Sequence, residues 1–356
     1  EGATGAEGPP MGGPHDRQRW ETTEGTRERR RRGTLGERRK KKEEAAEGRS
    51  GKVKRVGEGG GHRAKILPDG GWRIEKNGLS LLIEMDTKEN YQDIEKKPLL
   101  GLTLEGLRRV VADCGMPQFA AKQIARRLYV NRATSIDEMT ELSKQNRARL
   151  AEKGYVVGRQ APLTEMRSTD GTVKYLFPGV GRRDVESVYI PDGDRATLCV
   201  SSQAGCKMNC SFCMTGRQGF NGNLSAAAII NQVLSVPDSE SLTNLVFMGM
   251  GEPLDNLQPV LDAIEILTAP WGLAWSPKRI TVSSIGKIKE LKTLLDTTKV
   301  HVAISLHSPY PAERARLMPV EKGMPFSEVI NLLRNYDFAH QRRLSFEYIM
   351  FRGIND

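Results

Sequence analysis

Apolar positions fall into two rhythms along the chain, and the rhythm changes near Ala196. Before that point the spacing is helical. Leu104, Leu107, Val111 and Cys114 recur every three or four residues and mark one apolar helix face. A second helix is predicted over Ala120–Tyr129, and a third over Ser135–Lys153 with Thr134 or Ser135 as its cap. Two strands follow, Val173–Phe177 and Glu186–Ile190, separated by turns that contain Gly and Pro. From Ala196 onward, short β-branched or apolar runs alternate with amphipathic stretches. The predicted strands are Thr197–Ser201, Asn244–Met248, Arg279–Ser283, His301–Leu306 and Leu344–Met350. The predicted helices are Ser225–Leu234, Leu257–Leu267, Ile288–Leu295 and Phe326–Tyr336. Repeated βα units build a parallel sheet or barrel whose site lies at the carboxyl ends of the strands.

Residues 1–66 show neither rhythm. They are rich in Gly, Arg, Lys and Glu, with the runs Arg29–Arg32 and Arg38–Lys42, and such a segment cannot bury enough surface to offset its chain entropy. The domain plan is therefore a disordered basic tail (1–66), a linker with short strands (67–97), a helical accessory domain with a small β segment (98–185) and an α/β core (186–356). The net charge of +10 over 356 residues changes meaning once it is divided: residues 1–66 hold 18 Lys+Arg against 11 Asp+Glu. The remaining body is only slightly basic, so any grip on nucleic acid by the folded part rests on a local patch, with Lys122, Arg126 and Arg127 as phosphate contacts or as plain surface charge. No apolar run approaches the roughly 20 residues of a membrane span, and no signal-peptide pattern opens the chain. The expectation is a protein without a membrane partner, working in the cytoplasm or another reducing compartment such as an organelle stroma. Both ends, Glu1 and Asp356, read as cut.

Five cysteines are an odd number, and three fall within eight residues, which is not a secreted disulfide framework. Cys206-Lys-Met-Asn-Cys210-Ser-Phe-Cys213 sits just after the first core strand. Three thiolates on one short loop suit an iron–sulfur cube with a fourth iron left open. A structural zinc site would want a fourth ligand, and no nearby Cys or His completes it. Cys114, on its apolar helix face, reads as a buried small hydrophobe. Further candidates stand at the following strand ends. In Gly249-Met-Gly251-Glu252-Pro253 the glycines admit a ligand and the Glu252 carboxylate suits an ammonium group. Ser283-Ser284 and Ser305-Leu306-His307 offer hydroxyls and an imidazole, although each alone reads as a turn residue or a satisfied structural histidine.

Taken in order, Cys199-Val-Ser-Ser-Gln-Ala-Gly-Cys206, Cys210-Ser-Phe-Cys213, Gly249–Pro253 and Ala303-Ile-Ser305-Leu306-His307, with Phe119–Ile124 upstream, resemble the radical S-adenosylmethionine 23S rRNA/tRNA adenine-C2 methyltransferases. The similarity runs from Leu99 to Asp356. It implies a partial (βα)6 radical-SAM barrel with a helical accessory domain that grips structured RNA, 23S rRNA or tRNA. It also implies a [4Fe–4S] cluster on Cys206, Cys210 and Cys213, and S-adenosylmethionine as cofactor, with Gly251, Glu252, Ser283, Ser305, Leu306 and His307 at cofactor-contacting positions. Glu186 matches the proton acceptor, and Cys199 the cysteine that resolves a protein–RNA adduct by forming a disulfide. An electron donor such as flavodoxin or ferredoxin is implied, and a monomeric protein is expected. Radical chemistry suits the target because adenine C2 is not nucleophilic. In the family the methyl-carrying cysteine lies beyond a sixth strand. Residues 1–356 end before it, so they are expected to form an open barrel that does not complete the transfer. Two other readings stay open: an adenine-C8 RNA methylase of the same superfamily, and a non-catalytic iron–sulfur or RNA-binding module.

Overall fold

Among the described residues, the first element is built on the alternating polar and apolar positions that begin at Arg63. In the computed structural model, which describes residues 63–66, 72–76, 79–83, 96–181, 183–338 and 343–356, the strands β1 (Arg63–Ile66), β2 (Trp72–Lys76) and β3 (Leu79–Ile83) form an antiparallel sheet. They belong to a unit of their own, separate from the body of the chain. The expected disordered stretch 1–66 is thereby corrected at its end: Arg63-Ala64-Lys65-Ile66 alternates in period two and pairs with Trp72–Glu75, so the boundary at 66 cuts a sheet. The rest of that stretch lies outside the described residues.

The body opens with β4 (Lys97–Pro98) and three helices, α1 (Leu104–Asp113), α2 (Ala120–Ala125) and α3 (Lys144–Glu152), and β5 (Tyr155–Val156) returns to pair with β4. Thr103 caps α1 by accepting the Gly106 N–H at 3.3 Å, and Leu107, Val111 and Cys114 go into the core as the spacing predicts. The predicted helix over Ser135–Lys153 forms only in its second half. Thr134 and Ser135 give their hydroxyls to Glu138 in a local turn, and the cap is Ser143, which accepts from Asn146 N at 3.2 Å.

Next come β6 (Thr164–Arg167), β7 (Val173–Val180), β8 (Arg183–Asp192), β9 (Arg195–Cys199), β10 (Gln203–Gly205), α4 (Met214–Arg217), β11 (Phe220–Asn223), α5 (Ala226–Ser235), β12 (Asn244–Phe247), α6 (Leu257–Thr268), β13 (Ile280–Ser284), α7 (Ile288–Thr297), β14 (His301–Ser305), α8 (Pro311–Leu317), α9 (Phe326–Arg334) and β15 (Leu344–Glu347). Eight strands share one sheet in the order β15-β14-β13-β12-β9-β8-β7-β6. The five from β9 to β15 run parallel with sequential order, and β6, β7 and β8 extend the sheet antiparallel. A boundary between 185 and 186 therefore falls inside β8. The β segment assigned to the accessory domain is the flank of the core sheet, because β8 pairs with β9 from Val188 to Asp192.

Period two sorts the strands' side chains. Leu198, Leu245, Phe247, Val282, Val302 and Ile304 are buried in one apolar core with Ile229 of α5, Val260 of α6 and Leu291 of α7. The opposite, inner face carries Glu186, Cys199, Ser283, Ser305 and Glu347, all only partly buried. Among the described residues no helix is long and apolar enough to cross a membrane.

Candidate active site

The cysteine loop hangs between β10 and α4. Gly205 sits at φ +80°, and a Cβ there would lie 1.8 Å from the Gly219 carbonyl oxygen, so only glycine lets the two arms of the loop approach. Cys206 N–H donates to that same carbonyl at 3.1 Å, and Ser211 N–H donates to Leu317 O at 2.9 Å, tying the loop to the end of α8. Cys210 is buried, and Cys206 and Cys213 are half-buried. Burial pushes the Cys206 thiol up to about 11, aided by the nearby charges of Glu252 and Cys213. It pushes Cys210 to about 12, aided by Cys206, Cys213 and Glu252. Each thiolate thus raises its neighbours' cost of ionising, and a cationic centre bound among them would relieve that repulsion. Among the described residues no three His, Cys, Asp or Glu side chains converge on a point that would hold a single ion. A cube asks for less convergence, because each thiolate binds a different iron, and three cysteines on one loop supply its ligand set, whereas a structural zinc site would want a fourth ligand.

Beside the loop lies Glu252, fully buried at the end of β12. Its carboxylate accepts from Ser284 Oγ (2.6 Å), Leu254 N (3.0 Å) and Ile285 N (3.1 Å). Burial raises its pKa, and those hydrogen bonds pull against the rise. Gly251, at φ +99°, leaves no room for a Cβ, which would stand 2.4 Å from Gln203 Cβ. Gln203 links the parts: its carbonyl accepts from Glu252 N at 2.9 Å, and its amide donates to Asn223 at 2.8 Å and Asp255 at 3.2 Å. Asp255 also takes Lys207, the residue after Cys206, at 2.9 Å and Lys287 at 2.8 Å. Burial works against ionisation of Asp255, but Lys287, Lys207 and Gln203 outweigh it and hold the carboxyl at about 2.

On the inner face Cys199 pairs with Val188, two residues beyond Glu186 on the same side, which makes Glu186 and Cys199 diagonal neighbours. Glu186 accepts from Lys174 Nζ at 3.0 Å. Burial drives the Cys199 thiol up to about 11, against a hydrogen bond from the Met248 backbone. His307 is buried at φ +55°, its Nδ1 accepting from Ile349 N at 3.2 Å and its ring edge-on to Phe212 at 4.9 Å. Burial lowers its pKa, against the pull of Glu347. The imidazole is thus packed as a neutral group.

These blocks match known proteins. Residues 200–356 match the radical SAM superfamily model, and residues 97–156 match the model described as the ribosomal RNA large subunit methyltransferase N-terminal domain. The chain is 60% identical over 263 residues to a probable dual-specificity RNA methyltransferase RlmN of Bacteroides thetaiotaomicron, covering 74% of this chain and 76% of that one. The chain belongs to the RlmN family. A dual-specificity RNA methyltransferase RlmN of Geotalea uraniireducens is 41% identical over the same shares of the two chains. A crystal structure of a radical SAM methyltransferase from Sphaerobacter thermophilus aligns with TM-score 0.67 at 36% identity, covering 73% of this chain and 78% of that one. Radical SAM proteins use a [4Fe–4S] cluster and S-adenosylmethionine.

Three groups in this RlmN-family site escaped the sequence reading. Glu347 of β15 accepts from both Ser283 Oγ (2.7 Å) and Ser305 Oγ (3.0 Å). Arg314 of α8, buried against Glu321, donates to Ser305 O at 3.0 Å and Leu306 O at 3.1 Å and so fixes the Ser305–His307 turn. Asp255 completes the list. A carboxylate at a strand's carboxyl end was the available signal for Glu347. Arg314 and Asp255 lie on helical turns, and nothing in the sequence pattern places them in the site. Of the basic trio, Arg127 is committed to Glu141 and Thr140, while Lys122 and Arg126 join Arg108 in a groove of about 610 Å³ that Trp271 also lines.

Proposed function

We propose that the protein methylates C2 of adenine in 23S rRNA and tRNA. Cys206, Cys210 and Cys213 hold the cluster, and Gly251, Glu252, Ser283, Ser305, Leu306 and His307 hold S-adenosylmethionine. When bound, the cluster and cofactor supply the one-electron chemistry that a non-nucleophilic amidine carbon requires. The chain's own residues do the rest. Glu252, buried beside the cysteine loop with its carboxyl group held by Ser284, Leu254 and Ile285, binds and orients a cationic amine. The glycine turns bring backbone close to the ligand, and Arg314 keeps the Ser305–His307 turn rigid from behind. Glu186, steadied by Lys174, accepts a proton at its carboxylate, and Cys199 beside it would attack the sulfur of the family's methyl-carrying cysteine, which is none of the five cysteines of residues 1–356, so that the bond to product breaks as the disulfide between the two cysteines forms. That disulfide needs a thiol reductant each turnover, which fits a reducing cytoplasm. A flavodoxin- or ferredoxin-like donor and a monomeric enzyme complete the reading.

The observation that carries the proposal is the common inner face that places Glu186 and Cys199 as diagonal neighbours at the carboxyl end of the sheet, with the cysteine loop and buried Glu252 at the ends of the adjoining strands. The groove lined by Arg108, Lys122, Arg126 and Trp271 supports RNA binding, since three cations and an aromatic face suit phosphate and base together. The test is expression of the complete open reading frame in cells whose 23S rRNA lacks 2-methyladenosine, followed by mass spectrometry of the RNA. New 2-methyladenosine is the expected result. Methylation at C8 would transfer the protein to the C8 methylases, and no new methyl mark would leave only an iron–sulfur or RNA-binding role.

A further inference from the structure

Two serines on neighbouring strands point their hydroxyl hydrogens at one oxygen. Ser283 Oγ of β13 donates to Glu347 Oε2 at 2.7 Å, and Ser305 Oγ of β14 donates to the same atom at 3.0 Å. Register explains the meeting: Ser305 is directly opposite Glu347, and Ser283 pairs with Ala303, one same-face step away. A hydroxyl has one hydrogen. With that hydrogen committed, each serine has only lone pairs left to offer a ligand. Glu347 Oε1 adds another acceptor, with no hydrogen-bond partner among the described residues. This corner of the inner face is therefore a cradle of acceptors under a negative charge.

Such a cradle selects a ligand group rich in O–H donors. Glu252, the other carboxylate of the site, is tied to the cysteine loop through Gln203, which accepts from its backbone N–H and donates to Asp255, the partner of Lys207. Glu347 instead lies on β15 opposite Ser305, with its carboxylate against the Ser283 and Ser305 hydroxyls. The two carboxylates thus divide an elongated ligand between them, the amine end near the thiolates and a hydroxyl-bearing end at β13–β15.

We propose that Glu347 is a cofactor-binding residue that accepts the ribose hydroxyls of the adenosyl group, with Ser283 and Ser305 held by it as acceptors. A carboxylate is the group that dinucleotide-binding folds use for the same diol, and the hydrogen bond is charge-assisted. The inference rests on the cofactor assignment above and adds to it a residue and the part of the cofactor it reads.

The test compares equilibrium binding of S-adenosylhomocysteine and its 2′,3′-dideoxyribose analogue to cluster-loaded protein, in the wild type and in Glu347→Gln. Wild type should prefer the hydroxylated ligand by tenfold or more, the order expected for hydrogen bonds to a charged group. Glu347→Gln should lose most of that preference, while its iron content and its affinity for the dideoxy analogue stay near wild type. A cycle with no coupling between Glu347 and the hydroxyls, both ligands weakening equally or neither, would overturn the role of Glu347 and leave the cofactor assignment standing. Failure of the cluster-loaded wild type to bind S-adenosylhomocysteine at all would overturn both. Ser283→Ala serves as the second variant. It removes one acceptor but leaves the carboxylate, and it should reduce the preference by less than Glu347→Gln.

Discussion

Asp255 shows how much a single side chain decides in this site. It holds Lys207 of the cysteine loop and Lys287 at the start of α7 together, and its carboxyl sits at about 2 in the fold against 3.8 for a free group. A depressed carboxyl stabilises the fold above the unfolded value and stops doing so as pH falls through the folded one. Asp255→Asn is therefore expected to lower stability by about 1–3 kcal/mol at neutral pH, with the difference from wild type shrinking between pH ~4 and ~2 in urea titrations. Cys199 runs the other way. Burial raises its thiol to about 11, so a thiolate forms late. Alkylation of Cys199 by iodoacetamide, followed by peptide mass spectrometry, should be slow at pH 8 and climb until about pH 11, whereas an exposed cysteine levels off near its ordinary value. The cysteine triplet stood out by its spacing together with its place after a core strand, whereas the Gly249–Pro253 turn gained meaning only from the family resemblance. Asp255 was not, because an acid three residues after Glu252 on a helical turn looks like any surface carboxylate until Lys207 and Lys287 are seen to reach it.

At the scale of elements, the site depends on supports behind the strands. Arg314 of α8 and Glu321 form a buried ion pair whose guanidinium also clamps two carbonyls of the Ser305–His307 turn and stacks over Phe326 at 4.7 Å. Removing one partner leaves the other charge buried and unpaired. Glu321→Gln or Arg314→Ala should each cost about 3–5 kcal/mol in denaturant unfolding. Gly205→Ala acts on the other side of the site. The new Cβ would meet the Gly219 carbonyl, so the cysteine loop must shift, and iron bound per chain after reconstitution should fall well below wild type. Strand positions were readable to within a few residues, since period two and β-branched runs leave few alternatives. The helix over Ser135–Lys153 was overextended because Thr134 and Ser135 look like caps. Only the fold shows their hydroxyls turned to Glu138, with Ser143 capping instead.

On the scale of the molecule, the parallel strands β9, β12, β13, β14 and β15 present one face to helices and the other to the candidate site, and the accessory helices add a basic groove. The sequence gives the groove away only in part. Lys122 and Arg126 are visible as charges on a helix, but Trp271 and Pro270 come from far along the chain, and Arg127 leaves the set by pairing with Glu141. If the groove meets RNA backbone, Lys122→Glu with Arg126→Glu should weaken RNA binding and reduce the slope of log affinity against log salt by about one to two, leaving S-adenosylhomocysteine binding untouched. The domain boundary expected at residue 186 was misplaced for a physical reason. The antiparallel strands β6 to β8 complete the hydrogen bonding of β9, so the core sheet begins well before the first βα unit.

The central claim is that Cys206, Cys210 and Cys213 carry a site-differentiated iron–sulfur cluster that binds S-adenosylmethionine. Its most direct test is anaerobic reconstitution, iron and sulfide counting, and electron paramagnetic resonance of the reduced protein with and without the cofactor. About four irons per chain and a [4Fe–4S]⁺ signal that changes on adding S-adenosylmethionine are the predicted result. Zinc at the three cysteines, or a cluster whose signal ignores the cofactor, would contradict it.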